Sequence, residues 1–225
     1  MTSVKTPADE AEARAVQDEL RTRVVLDEAG PAVGRGLIAG VDVAYDDERD
    51  LVAAAAVVLD ATTLEVVEEA TAVGHVSFPY VPGLLAFREL PTVLAALDAL
   101  SAAPGLVVCD GYGLAHPRGF GLACHLGVVT GLPSIGVAKN PFTFTYEEPG
   151  ARRGDAAPLV AADGAVVGRA LRTQDGIKPV YVSVGHRVSL DNACAQTLAL
   201  SPRFRIPETT RHADSLCRRA LREAS

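Results

Sequence analysis

The sequence is short of lysine, of paired cysteines and of long apolar runs, and each shortage removes a class of protein. No stretch reaches the ~18 consecutive apolar residues that a membrane-spanning helix needs. The N-terminus is acidic where an export signal would be basic and then apolar. The expectation is a cytoplasmic protein that neither crosses nor enters a membrane. The four cysteines (Cys109, Cys124, Cys194 and Cys217) form no CxxC pair. That spacing predicts reduced, mostly buried thiols, and neither a disulfide framework nor a zinc site. Basic residues number 21 against 28 acidic ones, a net charge of −7. Bulk attraction to nucleic acid is therefore weak or absent. Only three of the basic residues are lysines. Ser134, Ser183 and Ser189 lack the context of a nucleophile elbow, which argues against covalent serine hydrolysis. Repeats, low-complexity tracts and linkers are also missing, so the 225 residues read as a single domain.

The apolar content, 48%, is enough for a substantial core. Val16, Leu20, Val24 and Val25 recur at helical spacing and predict a helix over 8–28. A strand is expected over 37–45, then two more over 51–60 and 64–73 joined by a turn at Asp60-Ala-Thr-Thr. A helix runs from about Pro82 to Leu100, with Pro91 dividing it or starting a second one. Strands at 106–110 and 133–138 flank a helix at 119–130. A long loop over 140–157 precedes a hairpin at 159–172 that turns on Asp163-Gly164. A strand at 180–184 and helices at about 190–200 and 208–223 complete the chain. A leading meander followed by alternating strands and helices makes an α/β fold, a mixed sheet flanked by helices.

The most informative segment is Val108-Cys-Asp-Gly-Tyr-Gly-Leu-Ala-His-Pro-Arg118. An apolar strand delivers Asp110 onto a glycine-rich loop that also carries His116 and Arg118, where open α/β sheets place their chemistry. The glycines at 111 and 113 would let the chain turn tightly and something flat or charged approach. Asp42 interrupts a strand between Val41 and Val43. An aspartate there is costly to bury without a cation, unless it faces solvent from an edge strand. Glu89 could equally be a solvated helix charge or a partner of Arg88, Asp110 a turn former, and Asp214 a helix-surface charge. Together the four carboxylates could converge on one or two divalent ions, and hard oxygen donors select Mg2+ or Mn2+. Lys139 follows an apolar strand, where it could touch a phosphate or be an ordinary loop lysine. His116 could polarise a leaving group, contact a base or cap its loop. In Pro79-Tyr80-Val81-Pro82, flanking prolines can hold Tyr80 outward as a stacking platform or wedge, or simply pack it in a rigid turn.

In this order, Gly-Val-Asp42-Val-Ala-Tyr, Pro79-Tyr-Val-Pro-Gly-Leu-Leu-Ala-Phe-Arg-Glu89, Asp110-Gly-Tyr-Gly-Leu-Ala-His-Pro-Arg118, Gly136-Val-Ala-Lys139 and Arg205-Ile-Pro-Glu-Thr-Thr-Arg211 resemble the endonuclease V family over about 37–216. The resemblance implies a ribonuclease-H-like fold and a repair nuclease directed at deoxyinosine. It implies Mg2+-dependent hydrolysis of the second phosphodiester bond 3′ to the lesion, leaving 3′-hydroxyl and 5′-phosphate ends, with Mn2+ able to substitute. Asp42 and Asp110 would be metal ligands, with Glu89 and Asp214 completing the cluster. Lys139 and His116 would assist at the phosphate. Tyr80, between Pro79 and Pro82, would fill the gap left by an extruded base. A largely backbone pocket around Gly83, Leu85, Gly111 and Gly121 would take that base. The expected partner is DNA containing deoxyinosine or another deaminated base, bound by a monomer.

Three other readings compete. Inosine-containing RNA could be the substrate, a choice that a 2′-hydroxyl contact decides. A non-catalytic nucleic-acid-binding module of the same fold would require the loss of acidic ligands, and all four are present. An actin-like phosphotransferase would need glycine- and threonine-rich phosphate loops, but Val-Ala-Tyr-Asp follows Asp42 and no P-loop occurs.

Overall fold

The computed structural model describes residues 6–224. Eight strands form one sheet: β1 (Leu37–Asp46), β2 (Leu51–Asp60), β3 (Val66–His75), β4 (Leu106–Cys109), β5 (Ser134–Ala138), β6 (Ala156–Val160), β7 (Val166–Leu171) and β8 (Val180–His186). Their order across the sheet is β3-β2-β1-β4-β5-β8-β7-β6. β1, β2 and β3 form the expected antiparallel meander, β4 and β5 join parallel to β1, and β8, β7 and β6 close the sheet antiparallel. Five helices accompany it: α1 (Glu10–Arg21), α2 (Leu85–Asp98), α3 (Leu122–Thr130), α4 (Leu190–Ala199) and α5 (Glu208–Glu223). The mixed, helix-flanked sheet has the ribonuclease-H-like α/β architecture.

Alternation along β1 sorts its side chains into two layers. Ala39 and Val41 pack with Leu90, Val93 and Leu94 of α2 and with Leu126 of α3. On the other face Gly40 meets α5: a Cβ there would stand 2.3 Å from the Thr209 carbonyl carbon. Glycine at 40 thus lets the first turn of α5 lie on the strand backbone. Ala55, Val57 and Leu59 of β2 then bury Ala213, Leu216 and Cys217 of the same helix. All four cysteines are free and buried.

Several boundaries move for physical reasons. α1 ends at Arg21 instead of continuing to 28. The chain then turns so that Val24 packs against Phe120 and Cys124, while the Val25 N–H donates to His186 Nδ1 at 3.2 Å. Pro91 lies inside one continuous α2 and divides nothing; it forgoes one helical hydrogen bond. β3 starts at Val66, two residues later than expected, because Leu64 adopts a positive φ of 60° in the turn. α3 starts at Leu122 because 119–121 still belong to the loop. The hairpin turns at Asp163-Gly164 as its sequence predicts, with Gly164 at φ 85°. Within 140–157, Thr145 bridges to Val160 and β6 already begins at Ala156.

Candidate active site

Strand register brings the acidic residues together. The last parallel rung between β1 and β4 is Val41 with Cys109. Asp42 and Asp110 each follow that rung by one residue and stand level, and the Asp110 N–H donates to the Val41 carbonyl at 3.3 Å. β1 is an interior strand, so the solvent-facing edge position open to Asp42 does not apply; its side chain is 11% exposed. Lys139 is the first residue after β5, beside β4. Its ammonium pairs closely with Asp110 and lies 4.0 Å from both Asp42 and Asp214. Asp214 reaches the group from α5, because Gly40 lets that helix approach, and it also accepts from Arg218 at 3.0 and 3.1 Å.

Three carboxylates around one ammonium make a strongly coupled group. Burial and the Asp110 charge push the Asp42 carboxyl up to about 8, against the opposing pull of Lys139. Burial pulls the Lys139 pKa down, but the hydrogen bond and charge of Asp110, with Asp42 and Asp214, outweigh it and raise it. Among the described residues no three His, Cys, Asp or Glu side chains already stand as a metal site; the acids gather around Lys139 instead. Asp42 Oδ2 is buried without a hydrogen-bond partner. An orphaned carboxylate oxygen among hard donors suits a small divalent cation.

Glu89 reaches the strand ends from the opposite layer. It is buried on α2 and accepts from Tyr45 Oη at 3.0 Å. Burial raises its pKa to about 7, the Tyr45 hydrogen bond opposes that rise, and Asp110 adds to it. Its neighbour Arg88 pairs instead with Asp47 at 2.6 Å and covers the Tyr45 ring. Asp110 therefore links two half-sites: Asp42, Asp214 and Lys139 toward α5, and Glu89 toward α2.

A cleft of about 300 Å³ opens on the α2 side, lined by Pro82, Gly83, Leu85, Gly111 and Gly121, with Glu89 and Asp110 at its acidic end. Tyr80 stands at this cleft and is 68% exposed, so the proline-braced turn does present it outward. Pro79 precedes it as an exposed turn residue and is not part of the cleft wall. His116 lines the cleft as well, and its Nδ1 accepts the Arg118 N–H at 3.2 Å, which caps the loop. The ring proton then sits on Nε2, on the Gly83 side. Burial, with the Arg118 charge, lowers its pKa to about 4, so it is neutral at pH 7.

Two loop residues differ from their sequence reading. The space at Gly113 is filled by the chain itself, since a Cβ would meet the Val184 carbonyl oxygen at 2.0 Å. That glycine seats the loop on β8, where Ser183 Oγ accepts the Gly113 N–H at 2.8 Å. Arg118 bonds Asp18 and the Arg14 carbonyl of α1, and so holds that helix to the loop. Sequence reasoning also passed over Gln17, Tyr112 and Phe142. Gln17 is buried on α1 and donates to the Gly83 and Phe120 carbonyls at 2.9 and 3.4 Å, tying the two loops of the cleft together. Tyr112 stacks on Phe142 with centroids 5.8 Å apart and donates to the Asn140 carbonyl. Gln17 lies on a helix with no visible link to 83 or 120, so no sequence signal marked it. Phe142 beside Pro141, just after Lys139, was a readable aromatic signal.

Carboxylates at the ends of two adjacent strands in this sheet order place the protein among the nucleases of the ribonuclease-H-like fold. The sequence profile of the endonuclease V family matches residues 18–215. Endonuclease V of Streptomyces avermitilis is 76% identical over 229 residues, covering 100% of both chains. The chain belongs to the endonuclease V family. The crystal structure of the S. avermitilis endonuclease V superposes with a TM-score of 0.96 at 78% identity, covering 97% of this chain and 96% of that one. Endonuclease V of Ciona intestinalis, in complex with a 24mer DNA containing an inosine followed by a ribo-adenosine, superposes with a TM-score of 0.84 at 28% identity, covering 96% and 98%.

Proposed function

We propose that this protein is a Mg2+-dependent repair nuclease that recognises deoxyinosine in DNA. It hydrolyses the second phosphodiester bond 3′ to the lesion and leaves 3′-hydroxyl and 5′-phosphate ends. The observation that carries this reading is the shared wall: Asp110 and Glu89 belong both to the acidic group and to the cleft. A base held in that cleft puts its own strand beside the carboxylates. The solved Ciona complex with inosine-containing DNA supports the substrate class.

Asp42 and Asp110, with Glu89 and Asp214, would hold Mg2+, and Mn2+ would substitute. Bound there, the ion supplies an acidified water and a Lewis acid for the phosphate. The other parts of the reaction fall to the chain. Lys139, whose ammonium stands among the three aspartates, would neutralise a phosphate oxygen at this site. Glu89, held by the Tyr45 hydroxyl at 3.0 Å, carries the acidic group to the end of the cleft. His116 presents a neutral ring at the cleft wall, fixed by the Arg118 N–H and the Gly83 backbone. Tyr80 would take the place of the extruded base in the stack. Leu85 and the backbone at Gly83, Gly111 and Gly121 give a flat slot with little side-chain bulk.

An end-labelled duplex with one deoxyinosine, incubated with Mg2+ and then with EDTA, tests the reading. The expected result is a single Mg2+-dependent nick immediately 3′ to the lesion's 3′ neighbour. A second reading has inosine RNA as the substrate, and the ribo-adenosine after the inosine in the Ciona ligand favours including it. Cleavage of inosine RNA but not of deoxyinosine DNA would move the assignment there. Binding to either without cleavage would point to a non-catalytic module.

A further inference from the structure

Three aromatic side chains are exposed among the described residues: Tyr80 at 68%, Phe142 at 49% and Phe204 at 47%. Two of them line the cleft. The third lies outside it, on the loop between α4 and α5, and nothing in the reaction described above uses it. We propose that Phe204 and Arg211 form a second stacking platform, which takes a nucleobase of the substrate strand on the α5 side of the carboxylates.

The placement follows from the elements. Arg211 is three residues before Asp214 on α5, so the two are neighbours on one helix face. Its guanidinium lies 4.1 Å from the centroid of the Phe204 ring. Arg205, next to Phe204, donates to the backbone carbonyl of Lys139 and to that of Pro179. The platform is thus attached to the two residues, Lys139 and Asp214, that mark the α5 half of the acidic group. The cleft and Tyr80 belong to the α2 half, so the carboxylates lie between two aromatic stations.

The loop is also held firmly. Thr173 Oγ1 donates to the Arg205 carbonyl at 2.7 Å, and Gln174 donates to the Ser201 and Phe204 carbonyls at 2.8 and 3.1 Å. Arg153 donates to the Ser201 carbonyl at 2.7 Å. A backbone pinned by so many partners could have turned its phenylalanine inward, yet it presents the ring to solvent. Exposed Arg203 precedes it in the chain, and the backbone of exposed Lys178 lies close by, since Arg205 also donates to the Lys178 carbonyl at 3.0 Å. An exposed ring with a guanidinium against it is the pairing that binds single-stranded nucleic acid by stacking and charge together. Stacking on a ring tolerates any base and either sugar, so the platform would grip the strand without reading it. On a protein of net charge −7 it would supply local attraction that the whole surface lacks.

This inference rests on the proposed cleavage and is tested with inosine strands that end one nucleotide past the cut or run six nucleotides past it. The Phe204→Ala variant should lose about tenfold in kcat/KM on the long strand and clearly less on the short one. Phe204→Trp should restore most of the loss, which a merely structural role would not allow. Equal kcat/KM for Phe204→Ala and wild type on the long strand overturns the platform. Equal losses on both strands overturn it too, by showing a general defect. Failure of the wild type to cut the long strand strikes the proposed function instead. In that event direct binding of the uncut strand, with wild type and Phe204→Ala compared, still decides whether the platform exists.

Discussion

At the scale of single residues, the site joins groups that are costly alone and useful together. Asp42 is the clearest case, a largely buried carboxylate with one oxygen unpartnered and its pKa pushed up to about 8. Asp42→Asn should keep the shape and abolish cleavage, with a loss of at least about a thousandfold measured in single-turnover reactions, while inosine-strand binding survives in part. Tyr80→Ala should show the opposite pattern. The ring is mostly exposed, so its removal should leave folding and Mg2+ affinity intact and weaken lesion binding by about tenfold in a gel-shift titration. Wild-type behaviour of either variant would remove that residue from its assigned role. The identity of these residues was visible in the sequence, because a charge inside an apolar strand and a tyrosine between prolines both break local rules. Their partners were not visible. Glu89 bonds Tyr45 and not Arg88, and Arg118 pairs with Asp18 of α1, because pairing depends on which helix faces carry the two side chains.

At the scale of elements, the site depends on how closely α5 lies on β1. Gly40→Ala would drive a methyl group into the Thr209 backbone and force the helix outward. The expected outcome is a stability loss of about 2 kcal/mol, read from the urea midpoint, since overpacking typically costs ~1–3 kcal/mol. Cleavage should fall as Asp214 retreats from Lys139. An unchanged urea midpoint would mean that the helix adjusts freely. Most strands were legible from alternation and turn residues, and the meander, the Asp163-Gly164 hairpin and the α4 and α5 spans lie close to their expected places. α1 and Pro91 were misread for one reason. Local periodicity cannot register that Val24 gains more from the Phe120 contact than from another helical turn, or that packing can outweigh one lost hydrogen bond.

At the scale of the whole molecule, two buried histidines contribute to the response to acid. His125 sits between the Phe87 and Phe120 rings with neither nitrogen hydrogen-bonded, and burial lowers its pKa to about 4. Burial likewise lowers His116 to about 4. The unfolded chain takes up these protons near pH 6.5 and the folded protein only near pH 4, so the unfolded state binds more protons between them. The contribution of these two histidines therefore rises with pH across that window and is lost on acidification from about 6.5 to 4, while Asp42 and Glu89, whose pKa values burial raises, contribute with the opposite sign. For His125 alone the loss between pH 7 and pH 5 is on the order of 2 kcal/mol. Denaturant titrations of His125→Phe should show a smaller loss over that interval; an identical pH slope would refute the assignment. The residue order alone determined that these carboxylates, the lysine and the proline-braced tyrosine exist, and on which kinds of element, because charge, alternation and turn chemistry are local properties. Tertiary structure decided that Asp42 and Asp110 stand level, that Lys139 sits among three aspartates, that Gln17 ties the walls of the cleft, and that Phe204 stands beside Arg211. All but the last are contacts between residues far apart in sequence, set by strand register and helix docking, and no local pattern encodes them.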